Sequence, residues 1–133
     1  MEHRALIESF YEAGGPVADD ATLERVFHPD YVSHTNPPDS PQGVAGAVWL
    51  RSFLESSFSG IRYELVHAVV DGDAAAMRVT MAGEHTGEGL GMPPTGRSFK
   101  ADQMHMVRFA GDGRIVEHWG VRDDAGMMRQ LRG

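Results

Sequence analysis

Residues 61–86, IRYELVHAVV DGD AAAMRVTMAGEHT, contain two long runs with strand character on either side of a short turn. Asp71-Gly72-Asp73 between the runs is typical of a tight hairpin, and the pattern predicts strands over 61–70 and 74–86. A second pair of strands, 97–109 and 114–122, is predicted around residues 111–113, GDG. The second half of the chain is therefore predicted to consist of antiparallel strands.

The first half of the chain has the 3.6-residue periodicity of helices instead. Three helices are predicted, because apolar residues share one helical face in each of three segments. The first covers 2–13, the second is a short segment with Asp20 as its N-cap, and the third covers 44–57. A short extended piece over 31–34 precedes a proline-rich loop, and 124–131 is predicted as a last helical turn. Helices followed by hairpins predict a single α+β domain over 1–133, with the helices packed on one face of a curved sheet.

The composition argues against several classes of partner. The net charge is −7, and the basic residues are scattered rather than gathered in the stripe that phosphate binding requires, so neither nucleic acid nor an anionic membrane is expected. The chain has no cysteine, which excludes disulfides and thiolate nucleophiles, and its seven histidines occur singly, so no metal site is expected. Without an apolar run of about 18 residues or a signal peptide, a cytoplasmic location is predicted.

Other familiar chemistries lack their sequence patterns. The glycine-rich run 87–91 follows a strand, but Pro93-Pro94 comes next instead of a helix N-terminus, which excludes a dinucleotide site. No serine stands in a Gly-x-Ser-x-Gly elbow, so a hydrolase triad has no anchor. The remaining candidates for function are polar residues within the predicted strands.

Gln103 and His105 interrupt an apolar face of the third long strand. Successive side chains of a strand point to opposite faces, so both residues share a face with Phe99, Val107 and Phe109. An unpaired buried polar group costs about 1–3 kcal/mol, so this placement needs a reason. Three reasons stay open: the pair is satisfied within the core, the two faces are reversed and the pair lies at an oligomer contact, or the face lines a ligand cavity.

The last long strand and two isolated residues supply further candidates. Trp119 offers a flat wall to a ligand, while Asp123 either reaches a cavity mouth or, like Asp124, caps the last helix. His34 is a turn residue or a site residue, and Tyr11 packs or donates a hydrogen bond. Alternation along this strand places two sets of residues on opposite faces: Ile115, Glu117, Trp119, Val121 and Asp123 on one, and Val116, His118, Gly120 and Arg122 on the other.

Several strings of the sequence resemble those of a known family. They are YVSH at 31–34, the loop 85–97 with GMPPTGR, the strand 112–120 with DGRIVEHWG, and DDAG at 123–126. Together they are similar to the SnoaL-like polyketide cyclases, also called ester cyclases. The likeness covers nearly the whole chain and is most specific in the GMPPTGR loop and the DGRIVEHWG strand.

The resemblance implies a cone-shaped α+β fold like that of ketosteroid isomerase, scytalone dehydratase and nuclear transport factors. In that fold a bent antiparallel sheet and three N-terminal helices enclose a pocket, and oligomers often form through the sheet, so a homodimer is expected. The implied activity is intramolecular aldol ring closure of a small apolar or polycyclic polyketide ester, without metal or organic cofactor. A non-catalytic binder of an apolar molecule, or an isomerase or dehydratase, remains an alternative.

The resemblance also implies roles for particular residues. Gln103 and His105 match a Gln-x-His pattern beside the substrate and are expected to hold the enolate or carbonyl oxygen. Asp123 is the expected acid/base, since desolvation in an apolar pocket would raise the pKa of its carboxyl group; many relatives carry Asp at the position of Gly120. The residues expected to bind substrate are His34, His118, Trp119 and Tyr11.

Overall fold

Helices occupy the first half of the chain and strands the second, in a computed structural model that describes residues 2–133. The helices are α1 (His3–Glu12), α2 (Asp20–Val26), α3 (Val44–Ser57) and α4 (Asp124–Arg132), with a 3-10 turn at Gly15–Val17. The strands are β1 (Phe27–Ser33), β2 (Phe58–Asp71), β3 (Ala74–His85), β4 (Ser98–Phe109) and β5 (Ile115–Arg122). The structure agrees with the α+β class predicted from the sequence.

Local chemistry explains where the helices begin and end. After α1, Gly14 adopts a left-handed conformation (φ 117°), which glycine accepts without steric cost. The N-cap of α2 is Asp19, whose carboxylate accepts a hydrogen bond from the Thr22 N–H at 2.9 Å. The prediction of Asp20 as this cap was wrong by one residue, because Asp20 already lies in the first turn of the helix.

The five strands form one open sheet in the order β1-β5-β4-β3-β2. Strands β2 to β5 make an antiparallel meander, and Gly72 (φ 58°) opens the two-residue turn between β2 and β3. Strand β1 pairs with β5 in parallel, so the sheet is mixed and not wholly antiparallel as predicted. Helix α3 carries the chain from β1 to β2 at the opposite edge, and the meander then returns to β1.

The helices cover the concave face of this sheet. Burial alternates along β3 and β4, so that Met77 and Val79 face the helices together with Phe99 and Val107. Leu23 and Val26 of α2 are fully buried against this face. Among residues 2–133, no helix is both long and apolar enough to cross a membrane.

Candidate active site

An apolar cavity lies between the helices and the concave face of the sheet. The cavity volume is about 80 Å³, which is room for several waters at about 10–15 Å³ each. The apolar part of its wall comes from α1, α2, α3 and the middle of the sheet. Its polar lining consists of Tyr11, Tyr31, Thr35, Asn36, Tyr63, Gln103, His105, His118 and Arg122.

Three of these polar side chains, together with Ser33 behind them, form a continuous hydrogen-bonded chain across β4, β5 and β1. Gln103 Oε1 lies 2.8 Å from His105 Nε2, and His105 Nδ1 lies 2.8 Å from His118 Nε2. His118 Nδ1 is 3.2 Å from Ser33 Oγ, whose oxygen also accepts from two backbone N–H groups. Both imidazoles therefore have both ring nitrogens engaged, and we call Gln103, His105, His118 and Ser33 the relay.

Burial keeps the two imidazoles of the relay neutral. Desolvation, with a smaller effect from the Arg122 charge, lowers the pKa of His105 to about 4. Desolvation also lowers the pKa of His118 to about 3, with further repulsion from His105 and Arg122. Each ring therefore carries one N–H and one lone pair near neutral pH.

Two hydrogen-bond donors meet at a thioether in the cavity wall. The Tyr63 hydroxyl donates to Met81 Sδ at 3.3 Å, and the Gln103 amide Nε2 donates to the same sulfur at 3.6 Å. Burial raises the pKa of the Tyr63 phenol well above its ordinary value, so it stays a donor. Tyr11 is shifted in the same direction, and burial raises the pKa of Tyr31 to about 12. A thioether is a weak acceptor, so the donors are only weakly satisfied.

Gly120 leaves the space that the imidazole pair occupies. It lies opposite His105 in the β4–β5 pairing, and a side chain there would point toward His105 and His118. A Cβ at position 120 would lie 2.6 Å from His105 Nδ1 and 3.2 Å from His118 Nε2, which is too close for unmoved neighbours. The His105–His118 hydrogen bond and a side chain at position 120 therefore exclude each other in this arrangement.

The structure places Asp123 differently from the sequence-based expectation. Asp123 is exposed and does not line the cavity, and its Oδ1 accepts a hydrogen bond from the Gly126 N–H at 2.8 Å. Of the two interpretations left open, the helix N-cap is the one that its geometry fits. No Asp or Glu of the described residues lines the cavity.

Trp119 and His34 also lie outside the cavity, on the convex face of the sheet. Their rings stack at 5.0 Å, and His34 Nε2 lies 2.7 Å from a Glu117 carboxylate oxygen. The expectation that Trp119 forms a wall of the cavity is corrected, because on β5 it is His118 and Arg122 that line the cavity. A register shift between Arg108 and Phe109 turns Ile115 inward as well.

Gln103, His105, His118 and Tyr11 do come together at the cavity, as expected from the sequence. Sequence reasoning missed Tyr63, Ser33 and Arg122. Strand alternation would have placed Tyr63 on the inner face of β2 with Ile61 and Leu65. Nothing in the sequence pairs Ser33 with a histidine 85 positions away. Among residues 2–133, no group of three His, Asp or Glu side chains is arranged to hold a metal ion.

Known proteins with similar sequences identify the family of this chain. The family model for SnoaL-like polyketide cyclases matches residues 5–131. The chain belongs to this family. Aklanonic acid methyl ester cyclase AcmA from Streptomyces galilaeus is 40% identical over 98% of this chain and 90% of its own length. Nogalonic acid methyl ester cyclase from Streptomyces nogalater is 33% identical over 82% of each chain.

The solved structures give the same result for the fold of this cyclase. IdmH from Streptomyces antibioticus superposes with a TM-score of 0.82 and 32% identity, and each chain is covered completely. The curated relatives are named as cyclases, so a cyclase is favoured over the binder, isomerase and dehydratase alternatives. The chain is therefore an enzyme of the polyketide cyclase class.

Proposed function

We propose that this cyclase closes a ring in a polyketide methyl ester by an intramolecular aldol reaction, without metal or organic cofactor. Two relatives that match most of the chain are named for acting on methyl esters of aklanonic and nogalonic acid. The apolar wall of the cavity suits a largely hydrocarbon substrate of this type, and its few polar groups suit the substrate oxygens. The expected cytoplasmic location and the absence of nucleic-acid partners stay predictions.

The observation that carries the proposal is the pair of donors that share Met81 Sδ. A ketone or enolate oxygen is a much stronger acceptor than a thioether, so a bound substrate would draw the Gln103 and Tyr63 donors from the sulfur. Donors aimed at an oxygen that becomes negative stabilise the transition state more than the ground state. The cavity is therefore suited to stabilising the enolate from which ring closure starts.

The relay supports this role by staying neutral. A neutral imidazole with a lowered pKa holds an N–H donor in place without placing a fixed positive charge in the cavity. Here His105 Nε2 lies 2.8 Å from Gln103 Oε1, and this contact holds the Gln103 side chain against Met81. The residues that would touch the reacting oxygens are Gln103 and Tyr63, with Tyr11 as a further phenol in the wall.

Aldol closure moves one proton from carbon to the new hydroxyl group and leaves the overall proton count unchanged. A carbon between two carbonyl groups ionises readily once its enolate is stabilised. Because no carboxylate of residues 2–133 lines the cavity, we propose that water beside Arg122, which lines the cavity and is partly exposed, carries this proton. The acid/base role expected for Asp123 then becomes a competing hypothesis that experiment separates from this one.

The test uses Gln103→Glu and Asp123→Asn, with aklanonic and nogalonic acid methyl esters as probes and chromatographic separation of the ring-closed isomer. Glu at position 103 still accepts from His105 but cannot donate, so kcat/KM should fall by about 100-fold or more. Asn keeps the helix cap, so Asp123→Asn should stay within about three-fold of wild type. Full turnover by folded Gln103→Glu would refute the donor role of Gln103. A 100-fold loss of kcat/KM in Asp123→Asn would restore the carboxylate mechanism. If the wild type closes neither ester, the proposed substrate class is wrong.

We also propose that the convex face of the sheet forms a homodimer. Met104, Met106, Trp119 and Val121 are 38–69% exposed there and line a shallow groove, a larger apolar patch than isolated surface residues make. Val121→Glu should therefore shift the sedimentation of the chain to that of a monomer. Ala21→Glu, at an exposed position of α2 on the helical side of the sheet, is the control and should leave the assembly unchanged. Sedimentation of wild type as a monomer would contradict the proposal.

A further inference from the structure

We propose that Ser33 is a positioning residue that sets the direction of the hydrogen bonds along the relay and thereby turns the Gln103 amide N–H toward the substrate. The cavity chemistry described above does not require Ser33, which lies at the far end of the relay from Met81. The catalytic consequence rests on the proposed function. The direction of the hydrogen bonds does not rest on the proposed function, and it is measured separately.

The Ser33 hydroxyl oxygen has no capacity to accept a further hydrogen bond. Its Oγ accepts from the backbone N–H of Thr35 at 3.2 Å and of Asn36 at 3.3 Å. A hydroxyl oxygen has two lone pairs and one proton, so the proton remains for the third neighbour. That neighbour is His118 Nδ1 at 3.2 Å. Ser33 therefore donates and His118 Nδ1 accepts.

The direction then propagates through two neutral rings. With its lone pair on Nδ1, His118 carries its proton on Nε2 and donates to His105 Nδ1 at 2.8 Å. His105 in turn carries its proton on Nε2 and donates to Gln103 Oε1 at 2.8 Å. The carbonyl end of the Gln103 amide is thereby held by His105, and its NH₂ end is left to face Met81 Sδ. A reversed chain would require the Ser33 oxygen to accept three hydrogen bonds.

Tyr31 is another side chain that interacts with this hydroxyl. Its phenol is buried, and the Ser33 hydroxyl partly offsets the effect of burial on its pKa. Because the Ser33 oxygen already accepts two hydrogen bonds, the Tyr31 phenol can interact with this hydroxyl only as an acceptor, in competition with His118 Nδ1. Tyr31→Phe is therefore a matched control that removes this neighbour and leaves the Ser33–His118 contact.

The experiment measures ring tautomers by ¹⁵N–¹H correlation NMR of the imidazoles in the wild-type chain at pH 7. Both His105 and His118 should show a protonated Nε2 and a bare Nδ1, and Tyr31→Phe should show the same pattern. Ser33→Ala should lose it, with the His118 nitrogens moving toward averaged or Nδ1-protonated values, and Ser33→Thr, which keeps a hydroxyl, should restore it. A protonated Nδ1 on either ring in wild type, or an unchanged pattern in Ser33→Ala, would overturn the inference.

Turnover gives the functional arm, with the same ester probes. Ser33→Ala should lower kcat by about 10-fold with KM little changed, less than the 100-fold expected for removal of the donor itself, and Ser33→Thr should recover most of the loss. Unchanged kcat in folded Ser33→Ala would refute the positioning role. If wild type closes neither ester, the proposed function fails while the tautomer measurement still decides the direction of the relay. If the tautomers are reversed while Gln103→Glu still abolishes turnover, the inference fails alone.

Discussion

Gly120→Ala tests whether the His105–His118 contact depends on the missing side chain between them. The new Cβ would lie 2.6 Å from His105 Nδ1, and ordinary contacts to a Cβ begin near 3.4 Å, so the ring must retreat by about 0.8 Å. A retreat of that size along the 2.8 Å hydrogen bond to His118 stretches it to about 3.6 Å, beyond hydrogen-bond range. The substitution should therefore break the relay at its centre.

The stability cost follows from the two nitrogens left without partners. Losing a buried hydrogen bond costs about 1–3 kcal/mol, and the reduced freedom of the unfolded chain on replacing glycine with alanine returns about 0.4–1 kcal/mol. The net loss in free energy of unfolding should be about 1–2 kcal/mol, and Tm should fall by roughly 3–8 °C. The fall in kcat should be about as large as in Ser33→Ala, because Gln103 loses the same support.

Gly111→Ala is the control, because a Cβ there would meet nothing within 4 Å and its backbone is not left-handed. Urea denaturation at pH 7 of both variants gives the comparison, and NMR of the imidazole nitrogens reports the relay. The control should stay within about 0.5 kcal/mol of wild type. Equal stability of the two variants, with the His105–His118 bond still visible by NMR in Gly120→Ala, would refute the reasoning.

Three further predictions follow from the same geometry. The pKa of histidine is about 6.5 in the unfolded chain, whereas in the folded chain it is about 4 for His105 and about 3 for His118. The free energy of unfolding should therefore be at its full value above pH 6.5 and decrease as the pH falls toward 4, by up to about 1.4 kcal/mol per pH unit for each ring. Urea denaturation between pH 7.5 and 5 measures this slope; His118→Gln should reduce it and the exposed His67→Gln should not, and equal slopes would argue against the buried rings as the cause. Asp123→Ala should lower the free energy of unfolding by about 1 kcal/mol through loss of the α4 cap, with Asp123→Asn near wild type in the same denaturation experiment; equal losses in both would show that the cap is not the reason. Tyr63→Phe should lower kcat with the relay tautomers unchanged, and a full kcat in steady-state kinetics would remove Tyr63 from the donor pair.

Much of the fold could be predicted because it is encoded over short distances. The helix over 44–57 has the same bounds in the structure, and the strand ends differ from prediction by three residues at most, except at β1, where the strand also includes Phe27–Asp30. Periodicity and turn residues act within a few positions of one another, so they are visible in the sequence. The inward direction of Gln103 and His105 was predicted for the same reason, since alternation along one strand is a local property.

The arrangement between strands could not be predicted in this way. The parallel pairing of β1 with β5 joins residues more than 80 positions apart, and it is this pairing that brings Ser33 to His118. The choice of inner face on β5 depends on its register with β4, which puts Gly120 opposite His105 and sends Trp119 to the convex side. A strand with mixed polar residues on both faces gives no local signal for that choice.

The sequence by itself therefore determined the elements, the family and the two polar residues on the inner face of β4, because each depends on neighbours along the chain or on motifs read in order. Only the tertiary structure decided which further residues join them. The residues linked to Gln103 and His105, directly or through His118 and Met81, come from β1, β2, β3 and β5. The distances between them are set by strand register and by the space left at Gly120. Contacts across a sheet are fixed by packing of the whole domain, which no short stretch of sequence contains.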